Sequence, residues 1–387
     1  MRTDARLPWL ALLALSFTAF LTILTETLPA GLLPWMAEGL GVSQSLAGQC
    51  VTIYALGSLL AAIPLTAATR RFARRRVLLG TLAGFALANA VTALSEGYAL
   101  VMAARCVAGL AAGLLWSLLA GYAARLVPAE QAGRAIAVAM AGTPLALSLG
   151  VPAAALLGTL AGWRLCFGLM ALLALLLMVW VRLAVPDVPA EAAKVGHSMA
   201  SALRRPGVKR VLLLVLVFVL AHNLLYTYIA PLSVAAGLAA HMDAVLLVFG
   251  LASLCSIGLA GVWVDTRLRG LALASTLLFL LASIGVALSS TLVWLIWPVV
   301  VGWGLAFGGA ATVFQTALAK VAGETAGTAQ SMLVTAWNAA IAGGGLLGGL
   351  LLQHLGVATL GLAVLPLLAA AWWLVLVSRQ DAFPRRQ

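Results

Sequence analysis

The chain is 387 residues long, 64% hydrophobic and only 9% charged, with a mean hydropathy of +1.10. That much apolar surface excludes a water-soluble globular domain and points to a polytopic membrane protein. The formal net charge of +12 calls for no nucleic acid, because cytoplasmic loops of membrane proteins collect Lys and Arg. Cys50, Cys106, Cys166 and Cys255 lie in apolar runs with no CxxC pair, so neither a disulfide framework nor a zinc site is indicated.

A membrane-spanning helix needs roughly 20 mostly apolar residues. Twelve runs meet that need: 8–35, 46–69, 77–95, 98–127, 134–161, 163–184, 210–236, 243–264, 270–289, 291–319, 326–353 and 356–378. The first follows Arg2 and Arg6 and is too long for the apolar region of a signal peptide, so it reads as an uncleaved first helix. The stretch 186–209 (PDVPAEAAKVGHSMASALRRPGVK) is the longest charged one. It divides the chain into a six-helix bundle at 1–184, a cytoplasmic linker at 185–209 and a second six-helix bundle at 210–387. With both termini in the cytoplasm, 21 of the 23 Lys and Arg residues fall in cytoplasmic segments, as topology rules require. Arg105, inside the fourth span, and Arg164, at the outer start of the sixth, are left over.

The halves echo each other at an offset of about 195 residues: TRRFARRR from Thr69 faces DTRLR from Asp265, and 150–162 faces 344–356. Six plus six spans with an internal repeat is a transporter layout, all-helical, with pseudo-two-fold symmetry, because a site between two similar bundles can be opened to each side in turn. Gly343, Gly345 and Gly348 spell GxGxxG, yet no strand precedes them and they sit in an apolar helix, so no dinucleotide site follows. The sequence contains no phosphate-binding GxxxxGK[ST] loop, no HExxH and no evident catalytic set. The expectation is a non-enzyme without cofactor or metal, driven by an ion gradient.

Glu26 is the acidic residue deep inside a predicted span. At 1.5 Å per residue it lies about 13 Å from Trp35, and Arg105 lies about 10 Å from Tyr98, each measured to the outer end of its helix. An arginine in hydrocarbon costs from about 2.5 to over 10 kcal/mol and usually faces the bundle interior with a partner. Glu26 and Arg105 are therefore expected to approach or exchange partners, with Glu26 alternately protonated and ionised, since a carboxyl's proton affinity depends on its solvation and on neighbouring cations. A static ion pair, or a Glu26 that only binds substrate, is the alternative. Gly109 and Gly113 suit close helix approach, and Gly142, Pro144, Gly150 and Pro152 make the fifth span bendable. In the seventh span His222 and Asn223 fall near the midplane, with Tyr226 beyond them, and Asn338 reaches a similar depth. Polar side chains there either line a cavity or bond neighbouring helices, and His222 can titrate. Trp116, Gln315 and Trp337 are weaker cavity candidates.

Six segments then carry a resemblance: 25–34 (TETLPAGLLP), 42–49 (VSQSLAGQ), YALG at Tyr54, RRRVLL at Arg74, GWRLCF at Gly162 and YTYIAP at Tyr226. The chain resembles the drug:proton antiporter branch of the major facilitator superfamily, which includes bacterial sugar, arabinose and purine-nucleoside efflux permeases. The resemblance implies a major facilitator fold and export of a drug-like compound, sugar or nucleoside across the bacterial inner membrane by proton antiport, with protons, the substrate and the lipid bilayer as partners, no nucleic acid, and a monomer. It implies proton coupling at Arg105, an antiport element at Gly150 and Pro152, and a conformational latch in the loops after the second and eighth spans. The first loop keeps Arg74 and Arg75 but lacks the usual Asp; the second keeps Asp265, Arg267 and Arg269, which makes it the better latch. A proton-coupled importer and a non-transporting membrane sensor on the same scaffold are the alternative readings.

Overall fold

The computed structural model describes residues 7–62, 64–69, 71–128, 131–189, 198–288, 295–378 and 381–383. Arg2, Arg6, Arg70, Lys194, Arg379, Arg385 and Arg386 of the topology reading lie outside the described residues, as do 190–197 of the expected linker. All regular structure among the described residues is helical. In hydrocarbon each backbone N–H and C=O must be satisfied within the segment, so an all-apolar run becomes a helix whatever its individual propensities.

The chain divides into two compact units, one comprising Met1–Leu28, Gly39–Gly41 and Ile53–Lys194, the other Pro29–Glu38, Val42–Thr52 and Val195–Gln387. The boundary departs from a simple split at the linker: two short pieces at the ends of the first two spans group with the second unit. The first half of the chain carries α1 (Trp9–Gly31), α2 (Leu33–Leu40), α3 (Gln44–Ala62), α4 (Pro64–Thr69), α5 (Arg74–Leu94), α6 (Tyr98–Arg125), α7 (Ala132–Met140), α8 (Gly142–Leu145), α9 (Val151–Ala161) and α10 (Trp163–Ala184). Between α8 and α9 runs a five-residue π turn, Ala146–Gly150. Pro144 and Pro152 each remove an i→i−4 donor there, and the helix widens rather than breaks. In the first unit α5 packs on α6 and α10 over a core that includes Leu12, Leu15, Leu82, Phe85, Leu115 and Leu177.

The second half carries α11 (Met199–Leu203), α12 (Pro206–Tyr226), α13 (Ile229–Ala235), α14 (Met242–Leu288), α15 (Ile296–Gly308), α16 (Ala310–Ala322), α17 (Ala326–Leu355) and α18 (Ala358–Val377). α14 packs on α15 and α18, and α12 on α17. Ten described stretches are long and apolar enough to cross a membrane, two of them 50 and 60 residues long. A 50-residue helix would span about 75 Å, far beyond a hydrocarbon core about 30 Å thick, so each of the two holds a pair of crossings and the total fits twelve. The eighth and ninth spans, expected to be separated by a loop, run on through α14 with only Arg267 outside helical geometry (φ −128°, ψ 32°).

Glycines set the closest helix contacts. In the first unit a methyl group on Gly109 would collide with the Tyr54 carbonyl, and one on Gly113 with the Ser58 carbonyl. The same pairing recurs about 195 residues later, where Gly304 lies on the Phe249 carbonyl and Gly308 on that of Ser253. The internal repeat is thus a repeat of backbone contacts. Gly109→Leu and Gly308→Leu should each destabilise the protein by about 1–3 kcal/mol through overpacking, read as a lowered unfolding midpoint in detergent. Gly80→Ala, where an added methyl meets nothing within 4 Å, should leave the midpoint in place.

Candidate functional site

Arg105 is the largest fully buried side chain among the described residues. Its guanidinium donates to the Thr25 backbone carbonyl at 2.6 Å and lies over two rings, 4.9 Å from the centroid of Tyr54 and 5.6 Å from that of Phe167. α1 places the acceptor, α3 and α10 the rings, and the small Gly109 one turn along lets α6 come close enough for Arg105 to reach them. Cation–π contact in a desolvated site is worth about 2 kcal/mol, which offsets part of the cost of burying the charge. The acceptor is free for a local reason. α1 contains Pro29, which has no N–H to give to the carbonyl four residues back, and that carbonyl is Thr25.

Glu26, next to that acceptor, is 9% exposed and lies within the field of Arg105, while both act on the Tyr54 hydroxyl. Tyr54 itself donates to the Thr22 carbonyl at 3.2 Å, and Asn89 of α5 donates to the Thr25 hydroxyl at 3.2 Å. Glu26 and Arg105 thus come together with Thr25, Tyr54 and Asn89. The last three were not foreseen, although the spacing of Thr25 and Pro29 carried a signal.

In the second unit His222 occupies an aromatic box. Its ring is stacked on Phe307 at 3.4 Å between centroids and on Tyr226 at 5.1 Å, and the Trp303 indole donates to its Nδ1 at 3.1 Å. Indole N–H is a donor only, so Nδ1 is an acceptor and the neutral ring carries its proton on Nε2. His222, expected to share in proton coupling, lies in this box with its Nδ1 engaged by Trp303. Tyr226, expected at the substrate cavity, is buried in the same box, and its hydroxyl has no partner among the described residues. Asn223 and Asn338 each donate to the carbonyl one turn back, at Val219 and Val334. Trp116 is half-buried against the core of the first unit, and Gln315 is exposed.

Two resemblance segments and the glycine run meet in the second unit. Tyr228 donates to the Gly345 carbonyl at 2.8 Å, Ser45 to the Gly349 carbonyl at 2.7 Å, and the Gln49 amide reaches Gly345 at 3.3 Å. Side chains at Gly345, Gly348 and Gly349 would strike Thr52, Tyr228 and Gln49. Gly345 and Gly348, two of the three glycines that mimic a nucleotide motif, are therefore required for this junction.

The loops also differ from expectation. In the second unit Asp265 and Arg267 are exposed and make no hydrogen bond or ion pair among the described residues, while Arg269 donates to the Leu376 carbonyl at 3.0 Å at the end of α18. In the first unit an acid does meet the basic cluster, from far along the chain. Asp187 accepts from the Arg75 N–H at 3.3 Å, in the uncapped first turn of α5. Around it the segment 185–189 is strapped down: Arg75 donates to the Val185 carbonyl, Tyr122 to Pro186, the Arg74 N–H to Val188 and Arg125 to Pro189, all within 3.2 Å. Gly150 abuts the Phe20 ring, and Pro152 is buried.

Comparison with known proteins is consistent with this architecture. The model of the Major Facilitator Superfamily matches residues 15–345. The chain is 32% identical to the transcription regulatory protein OpdE of Pseudomonas aeruginosa, over 97% of this chain and 95% of that one. It is 31% identical to a chloramphenicol efflux pump of Mycobacterium tuberculosis, over 90% and 88%. Among solved structures, a bacterial homologue of the human lysosomal transporter Spinster superposes with a TM-score of 0.72 at 14% identity, covering 99% of each chain.

Removing the strap should be visible locally. Asp187→Ala together with Tyr122→Phe should raise amide hydrogen exchange at the first turn of α5 and along 185–189 relative to the native protein, with exchange in α6 near Arg105 unchanged; equal exchange in both proteins would mean that the strap holds nothing.

Proposed function

The chain belongs to the major facilitator superfamily, and on that premise we propose that it exports a small neutral or weakly charged molecule in exchange for protons by alternating access. It is a membrane transporter and not an enzyme; direction, coupling ion and substrate are the proposed part. The observation that carries the reading is the buried constellation of Glu26, Thr25, Tyr54 and Arg105: a carboxyl beside a cation that has a second acceptor within reach. Protonation of Glu26 removes its claim on Arg105, and ionisation restores it, so proton binding can be tied to a movement of α1 against α6. The relative named as a chloramphenicol efflux pump supports outward transport and a drug-like substrate; the resemblance segments add sugars and nucleosides. Asn223 and Asn338, each with an amide oxygen beyond its own helix bond, are the substrate contacts we favour, and the junction of Ser45, Gln49, Tyr228, Gly345 and Gly349 serves as the outer closure of one state. We place the protein in the bacterial inner membrane as a monomer with both termini cytoplasmic, following the distribution of its basic residues.

One finding favours a second reading. The Pseudomonas relative is named a transcription regulatory protein, which fits a membrane sensor that binds a solute without moving it.

In proteoliposomes with an acidic lumen, challenged with chloramphenicol, nucleosides and sugars, the native protein should release protons in response to one class, and Glu26→Gln should fall to the protein-free baseline. Release that survives in Glu26→Gln removes Glu26 from coupling. Saturable binding without flux of any member of the panel would favour the sensor.

A further inference from the structure

Resting on the coupling role given to Glu26, we propose that Pro29 is a positioning residue for that coupling: by withholding an N–H it makes the Thr25 carbonyl a second berth for Arg105, one residue away from Glu26.

In an unbroken α-helix the carbonyl of residue 25 receives the N–H of residue 29. α1 runs helically from Trp9 to Gly31 with Pro29 inside it, so the Thr25 carbonyl is left without its ordinary donor in a buried stretch where an unmet acceptor costs about 1–3 kcal/mol. Arg105 fills it at 2.6 Å. Two unfavourable groups, a helix carbonyl without a donor and a guanidinium in hydrocarbon, thereby satisfy each other. The consequence is kinetic as well as static. A guanidinium that could bind only Glu26 would have to be stripped bare to leave it. Here it can pass to a neutral acceptor on the same helix, which lowers the cost of separating the charges and leaves the carboxyl free to take a proton.

The surroundings contain few competing groups. From α3 comes the Tyr54 hydroxyl, committed to Thr22; from α5 the neutral Asn89 amide, committed to the Thr25 hydroxyl; from α10 the Phe167 ring and the Cys166 thiol, which is turned to the Ala154 carbonyl. Among the described residues the charged group beside Glu26 is thus Arg105, and its choice of berth governs when the carboxyl is ionised.

Pro29→Ala returns the N–H to the Thr25 carbonyl, so Arg105 must share that acceptor and stays longer with Glu26. The ionised carboxylate is then favoured, and protonation should require a lower pH, by about one pH unit if a single charge-assisted hydrogen bond is at stake. The experiment is an infrared pH titration of the protonated-carboxyl band of the full-length protein in phosphatidylglycerol nanodiscs, with the band assigned by its loss in Glu26→Gln. The expected result is an acid shift of its midpoint in Pro29→Ala. Replacing residue 29 by lactic acid, which joins through an ester oxygen and has neither N–H nor ring, should restore the native midpoint, because the missing donor and not the ring is what matters. Should Pro29→Ala fail to accumulate, Pro29→Gly supplies the N–H in a helix that bends as easily and is scored in the same way. An unshifted midpoint in the alanine or glycine variant, or a lactic acid protein that shifts as far as they do, overturns the proposal. Coupled transport that survives in Glu26→Gln would instead overturn the coupling role itself, and the two failures are read from different measurements.

Discussion

The organisation of the first unit depends on how a guanidinium is kept in hydrocarbon. Arg105 has no exposed surface, and removing such a charge from water costs several kcal/mol before any partner is counted. Each local feature around it lowers that cost. The missing side chain at Gly109 lets α6 lie against the Tyr54 carbonyl, which brings the Tyr54 ring under the guanidinium. Pro29 frees the Thr25 carbonyl to accept, and Asn89 holds the Thr25 hydroxyl in place. Remove any one, and either the helix approach or the acceptor is lost. Glu26 sits beside a cation already satisfied in part by neutral groups, which is the arrangement the proposed coupling role starts from.

The second unit keeps the scaffold and drops the charge. Phe249 with Gly304 and Ser253 with Gly308 repeat the backbone contacts of Tyr54 with Gly109 and Ser58 with Gly113. Where the fourth span sends Arg105 to Thr25, the tenth sends Trp303 to His222. Both bonds tie the fourth helix of a half to its first. The indole fills its place without any cation to neutralise and occupies Nδ1 of the imidazole. Duplication of a fold thus does not require duplication of its chemistry.

The fold was legible because the bilayer imposes it. Hydrophobic length gave the crossings, and the glycine spacing gave the helix contacts. What escaped was whatever depends on long-range placement. The tightness of the junction between the eighth and ninth spans could not be read from a loop rich in Asp and Arg, since Arg267 alone turns the chain. Glu26 and Arg105 were matched by depth, which counting residues supplies. The aromatic box around His222 draws on α12, α14 and α15, and no local pattern reveals that those rings converge. Gln49 and Tyr228 belonged to recognisable segments, yet their meeting point on the glycines of α17 appears only in three dimensions. The role of Pro29 was the opposite case: it needed only the helix repeat and the question of where the Thr25 carbonyl finds its donor.

The two loops illustrate how the same requirement is met with opposite charges. α5 begins without a capping side chain of its own, and the carboxylate of Asp187 comes to its first turn; α18 ends with open carbonyls, and the guanidinium of Arg269 comes to them. Both placements agree with the helix dipole, negative at the start and positive at the end. A missing Asp in the first loop was therefore replaced in space and not in sequence, and the Asp265 of the second loop is left to solvent because the nearby helix end asks for a cation. Contacts of this kind contribute about 0.3–1 kcal/mol each when exposed. That is enough to bias a loop and too little to lock it.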